Sequence, residues 1–144
     1  MIENSRTFTR KFGIPIIAIL MVIFTGCTNA IDPKLFYGIW QNTRDDGTMN
    51  VILSKESWMA EYPDEGYYYT VDQLSWVSTM NDDPATKGIY PKGYYITGTV
   101  STVYEINDLI LGQQMTFRIY LNKNKSTFLR KSPNQIDYVF TKIE

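Results

Sequence analysis

The chain has 144 residues, 15% of them aromatic, with 14 Lys+Arg against 15 Asp+Glu, one cysteine and no histidine. This length suits one domain, and the charge balance leaves no basic footprint for nucleic acid. Intrachain disulfides, cysteine/histidine metal sites and histidine-dependent nucleophiles are excluded outright.

In chain order, Arg6, Arg10 and Lys11 form a basic start, Gly13 to Phe24 is apolar without a charge, and Thr25-Gly26-Cys27 is small. Basic, then apolar, then small is the order of a secretory leader. The 12-residue apolar run contains Pro15 and falls short of the roughly 20 residues that a bilayer-spanning helix needs. The placement of Cys27 resembles the lipobox of bacterial lipoproteins, with Phe24 where that family usually has Leu, Val or Ile. The resemblance implies removal of residues 1–26 and acylation of Cys27, palmitate included. The product is then a lipoprotein of the bacterial cell envelope, held to a membrane on its non-cytoplasmic side. Several acyl chains matter, because each buried methylene adds roughly 0.8 kcal/mol and one chain alone binds only marginally. The plainer reading of the same segment is an ordinary signal peptide cut nearby.

Residues 27–36 then form a lipidated tether and 37–144 the domain, whose mature net charge is −3 once three basic residues and Glu3 leave with the leader. All 11 tyrosines and three tryptophans lie in this part. Period-two alternation predicts eight strands, at 37–42, 48–54, 57–62, 67–79, 94–105, 109–121, 126–131 and 136–142. Turn chemistry separates most of them: Asp45-Asp46-Gly47, Pro63-Asp64-Glu65-Gly66, Asn107-Asp108, Asn122-Lys123-Asn124-Lys125 and Ser132-Pro133-Asn134. Leu109, Leu111, Met115, Phe117, Ile119 and Leu121 make one apolar face. Tyr94, Ile96, Val100, Tyr104 and Ile106 make another, interrupted by Gly98, which suggests a bulge or bend. The long connection 81–93 carries Pro84, Pro91 and Gly93. Such a pattern predicts an all-β domain, an eight-stranded antiparallel up-and-down barrel that closes its own edges. A β-sandwich has nearly the same periodicity and stays open as the alternative.

Gly38-Ile39-Trp40 at the head of the first strand and Tyr138-Val139-Phe140-Thr141-Lys142 at the end resemble the lipocalin-like superfamily and its small bacterial lipoproteins. In that family the tryptophan plugs the closed end and a cation from the last strand lies across its ring. The resemblance implies that Gly38, Trp40 and Lys142 close the barrel, with Lys142 where the family usually has arginine. It also implies non-covalent binding of a small molecule inside.

If Trp40 points inward, parity turns Met49, Val51, Leu53, Trp58, Ala60, Tyr62, Phe128 and Arg130 inward as well. An inward guanidinium is costly unless it is matched, so Arg130 is a candidate anchor for a ligand carboxylate or phosphate. A solvated strand end, or pairing with a core carboxylate, is the plainer account and carries more weight. Tyr69, Tyr138 and Trp58 are candidate pocket-lining rings, although cross-strand stiffening explains aromatic runs such as Tyr67-Tyr68-Tyr69 equally simply. The acidic pairs Asp45-Asp46, Asp64-Glu65 and Asp82-Asp83 sit in turns, with no spaced ligand pattern. The expectation is a barrel that binds a small hydrophobic or amphipathic ligand, with no catalytic residue, metal or cofactor, and a mouth formed by 43–47, 63–66, 107–108 and 132–135. The alternative is a protein-interaction module of the surface or periplasm, meeting its partner through exposed tyrosines and 81–93, its interior filled by side chains.

Overall fold

The structure, a computed structural model, describes residues 30–132 and 136–144. The leader, Cys27 and the turn residues Pro133 and Asn134 lie outside the described residues. A 3-10 turn, Pro33–Phe36, leads into eight antiparallel strands: β1 Gly38–Arg44, β2 Gly47–Leu53, β3 Ser57–Tyr62, β4 Tyr67–Met80, β5 Lys92–Tyr104, β6 Gln114–Leu121, β7 Thr127–Lys131 and β8 Tyr138–Lys142. Each pairs with the next, and β8 returns to β1 to close a barrel in the order β1 to β8. Closure resolves the choice that periodicity leaves open, against the sandwich.

The closing seam is short. Only Trp40↔Lys142 and Gln41↔Thr141 pair across β1 and β8. The C-terminus extends the seam, as Ile39 N donates to Glu144 O and Ile143 N to Ile39 O. Toward the other end a side chain takes over, with buried Asn42 donating Nδ2 to Val139 O at 2.7 Å. Gly38 is required at this seam. Its φ is +131°, and a Cβ there would lie 2.3 Å from Glu144 O.

Inward parity places Trp40, Val51, Trp58, Ala60, Val71, Ile96, Phe117, Phe128 and Phe140 in the core, each 1% exposed or less. Their rings stack in the lower barrel. Trp58 lies on Phe117 at 4.4 Å and 12°, Phe128 on Phe140 at 4.8 Å and 20°, and Trp40 meets Phe128 edge-on at 4.8 Å. Burying each such side chain contributes about 1.5–3 kcal/mol. The 3-10 turn seals the bottom. Asp32 caps it by accepting from Lys34 N, and Phe36, fully buried, accepts the Trp40 indole N–H on its carbonyl at 2.7 Å. Tyr94 adds a hydroxyl hydrogen bond to Ile31 O, fixing the chain just before the turn.

Three expectations need correcting. The sixth strand starts at Gln114, not 109: Gly112 takes φ +82° in a turn closed by Gln113 N to Ile110 O, leaving Ile110 and Leu111 exposed. The inner face of β5 changes parity after Val100, where Thr70↔Thr102 and Val71↔Val100 leave Ser101 as an extra residue. Val103 therefore packs on the core and Tyr104 is 48% exposed. β5 also begins at Lys92, taking Gly93 into the sheet. The irregularity suggested at Gly98 is present, its one extra residue supplied by the facing strand: Gln73 and Leu74 of β4 together stand opposite Gly98 alone, and a Cβ on Gly98 would meet Leu74 and Val71 side chains at 2.7 Å.

Candidate functional site at the open end of the barrel

The stacked rings fill the lower barrel but stop short of the top. There a cavity of about 440 Å³ opens between the β1–β2, β3–β4 and β5–β6 connections. This volume falls in the range of roughly 300–1,000 Å³ usual for small-molecule sites. Tyr62, Tyr67, Tyr69 and Tyr138 supply aromatic wall, with Met49 and Met115 between them. Period two explains the selection: Met49 belongs to the inward row of β2, Tyr62 to that of β3, and Tyr67 and Tyr69 to that of β4.

Arg130 lies at the base. Its guanidinium carbon is 4.8 Å from the Phe117 ring centroid, 5.6 Å from Trp58 and 6.0 Å from Tyr138. Contacts with ring faces offset part of the desolvation of a cation, each contributing about 0.5–2 kcal/mol. Yet a guanidinium has five N–H donors, and among the described residues that of Arg130 has neither a hydrogen-bond partner nor a carboxylate within 4.0 Å. The pairing with a core carboxylate that the sequence leaves open is thus not made by any described residue. Arg44 stands close by, 4.6 Å from the same Tyr138 ring. Burial pushes the Tyr62 hydroxyl far above the usual tyrosine range; neighbouring Tyr69 pushes it further, while Arg130 pulls it back. A phenol so shifted stays protonated and acts as a donor.

Each anticipated site residue has a definite place. Arg130, Tyr69 and Tyr138 line the cavity together. Trp58 does not; it lies below, fully buried against Phe117, its Nε1–H without an acceptor among the described residues. Gly38, Trp40 and Lys142 meet at the opposite end, where Lys142 Nζ is 5.3 Å from the Trp40 ring centroid. Arg44 went unnoticed because the sequence reading ends the first strand at 42. Continuing the inward row Trp40, Asn42, Arg44 by one step identifies it.

The rim carries Asp46, Asp64, Glu65 and Asp108, all exposed and all on connections. Asp64 is fixed by accepting from Thr48 N at 2.9 Å. A second hollow, of about 270 Å³, lies on the outer wall beneath residues 81–83. Its charged groups include Lys131, bound to Asp83 and Asp137, and Arg118, over the Tyr95 ring. Among the described residues no group of three or more His, Cys, Asp or Glu could hold a metal ion, and no helix is long and apolar enough to cross a membrane. The fold and the cavity together define a closed eight-stranded up-and-down barrel with a recessed hollow at its open end. The chain matches no family model, no curated protein and no solved structure.

Proposed function

We propose that this protein is an exported, lipid-anchored barrel of the bacterial envelope that binds a small amphipathic molecule non-covalently at its open end. The anchor rests on the basic, apolar and small order of residues 1–27 and the position of Cys27. The binding role rests on one observation above the others, the roughly 440 Å³ cavity whose tyrosine wall descends to an arginine without a carboxylate partner among the described residues. A site built from ring faces and a few convergent donors suits recognition rather than bond making, so no catalytic step is assigned. The packed lower barrel is what an interaction module would also have, but such a module does not call for a recess this large.

Native mass spectrometry of protein purified from its own host tests the binding role. The expected spectrum holds a small mass lost at modest collision energy and absent from a cavity-filling Met115→Trp variant. A spectrum of bare protein under the gentlest conditions contradicts the proposal. The anchor is tested on membrane extracts, where wild type should carry acyl mass on Cys27 and Cys27→Ser should move to the soluble fraction.

A further inference from the structure

We propose that the ligand is a zwitterion, seated with its anionic group innermost on Arg130 and its cationic group outward at the carboxylate rim. This rests on the cavity being a ligand site at all, and it goes further by specifying the ligand's charge pattern.

The cavity holds charges of both signs that do not neutralise one another. Arg130, half-buried, lies at the base against Phe117 and Trp58, and Arg44, half-buried at the upper end of β1, reaches the Tyr138 ring that Arg130 also contacts. Asp46, Asp64, Glu65 and Asp108 sit exposed on three separate connections at the top. Although all six residues line one hollow, no ion pair joins either arginine to any of these carboxylates. With Arg130 beneath and the carboxylates on the connections above, the wall carries positive charge at depth and an excess of negative charge at its rim.

Each simpler ligand meets one wrong charge. A plain anion must pass four carboxylates to reach Arg130. A plain cation gains the rim but leaves Arg130 unmatched at the base, where removal from water makes an unpaired charge costly. A neutral molecule answers neither end. A zwitterion with its anion leading answers both. Its anion receives charge-assisted, bidentate hydrogen bonds from guanidinium and a hydroxyl donor from protonated Tyr62. For the cation, the rings of Tyr62 and Tyr67 lie 4.6 Å apart beside Asp64 and Glu65, combining ring faces with carboxylates. Ring faces and carboxylates both attract an ammonium or quaternary ammonium group.

Calorimetry with a matched series provides the test: ω-trimethylammonio carboxylates of four to ten carbons, the corresponding carboxylates, alkyltrimethylammonium ions and neutral alcohols. The zwitterion of best length should bind at least ten-fold tighter than any analogue. Arg130→Met should weaken the zwitterion and the carboxylate ten-fold or more while leaving the alkyltrimethylammonium ion unaffected. The exposed-residue variant Glu65→Gln, whose folding is not in question, should weaken the zwitterion and the ammonium alone. Equal binding of the carboxylate means an anion site, equal binding of the ammonium a cation site, and equal binding of the alcohol a site indifferent to charge; each overturns the inference. If no member binds yet the native spectrum shows a bound mass, the zwitterion falls and the binding role stands. If neither shows binding, both fall.

Discussion

Gly93 is the residue whose role local chemistry conceals most completely. A Cβ there would stand 1.7 Å from Ile119 O, a backbone atom of β6 that cannot swing aside. Gly93→Ala should therefore push β5 and β6 apart, at a cost of about 1–3 kcal/mol or more, read as a lowered urea midpoint. An unchanged midpoint would show that the sheet yields at no expense. Beside Pro91 and Lys92, Gly93 reads as the end of a loop, because turn composition is local and the backbone it must admit lies 26 positions further on. Gly98 was legible, being a glycine set inside an alternating run. Arg130 was legible for the same reason, its inward parity following from Trp40 through the strand count. What parity cannot give is depth. It turns Trp58 and Tyr69 to the same interior, and only packing puts Tyr69 on the cavity and Trp58 beneath it.

Between strands, the connection of residues 81–91 is held to the barrel rather than solvated along its length. Asn81 is buried, donating Nδ2 to Thr86 Oγ1 at 3.0 Å and to Tyr90 O at 2.9 Å, and Tyr90 reaches Thr127 through hydroxyls 3.2 Å apart. Tyr120 and Leu129, paired in register on the outward face, are 3% and 2% exposed. Alternation puts Tyr120 opposite the apolar row of Phe117, Ile119 and Leu121, on the face that should meet solvent, since the pattern within one strand does not report a cover supplied by another segment. Lys131 binds Asp83 from this connection and Asp137 before β8, the latter at 2.8 Å. The hydrogen bond from Lys131, then that from Ala85 N–H, holds the Asp83 carboxyl below its ordinary value of 3.8. A carboxyl shifted downward contributes stability in full above that ordinary value and loses it as pH falls through the lowered one. Lys131 is raised above 10.5 by hydrogen bonds to Asp137 and Asp83, so its share is full below that value and lost as pH rises through the raised one. Amides of 81–91 should then exchange faster in Asp83→Asn than in wild type at neutral pH, and the two should converge as pH falls well below 3.8. A gap that persists unchanged in acid would mean that the ion pair does not hold this connection.

For the molecule as a whole, the proposed anchor makes the point at which the chain enters the barrel a matter of orientation. Ile31 packs on the core, and the Pro33–Phe36 turn seals the end opposite the cavity. With the proposed anchor at Cys27, the four steps to Ile31 allow a reach of at most about 14 Å. If that anchor holds, the expected outcome is a sealed end nearer the bilayer than the cavity, since seven residues of β1 separate the two ends by about 20 Å. Such an orientation suits a charged ligand arriving from water rather than one drawn from the lipid. With Cys27 acylated, a single engineered cysteine can carry a fluorophore in vesicles bearing nitroxide at the headgroups. A label at Lys123→Cys, on the β6–β7 turn at the sealed end, should be strongly quenched, and one at Asp46→Cys, on the cavity rim, far less. Equal quenching would mean that the barrel tumbles freely on its tether. The reverse order would turn the cavity toward the lipid, making an acyl-chain cargo the better account of its tyrosine wall.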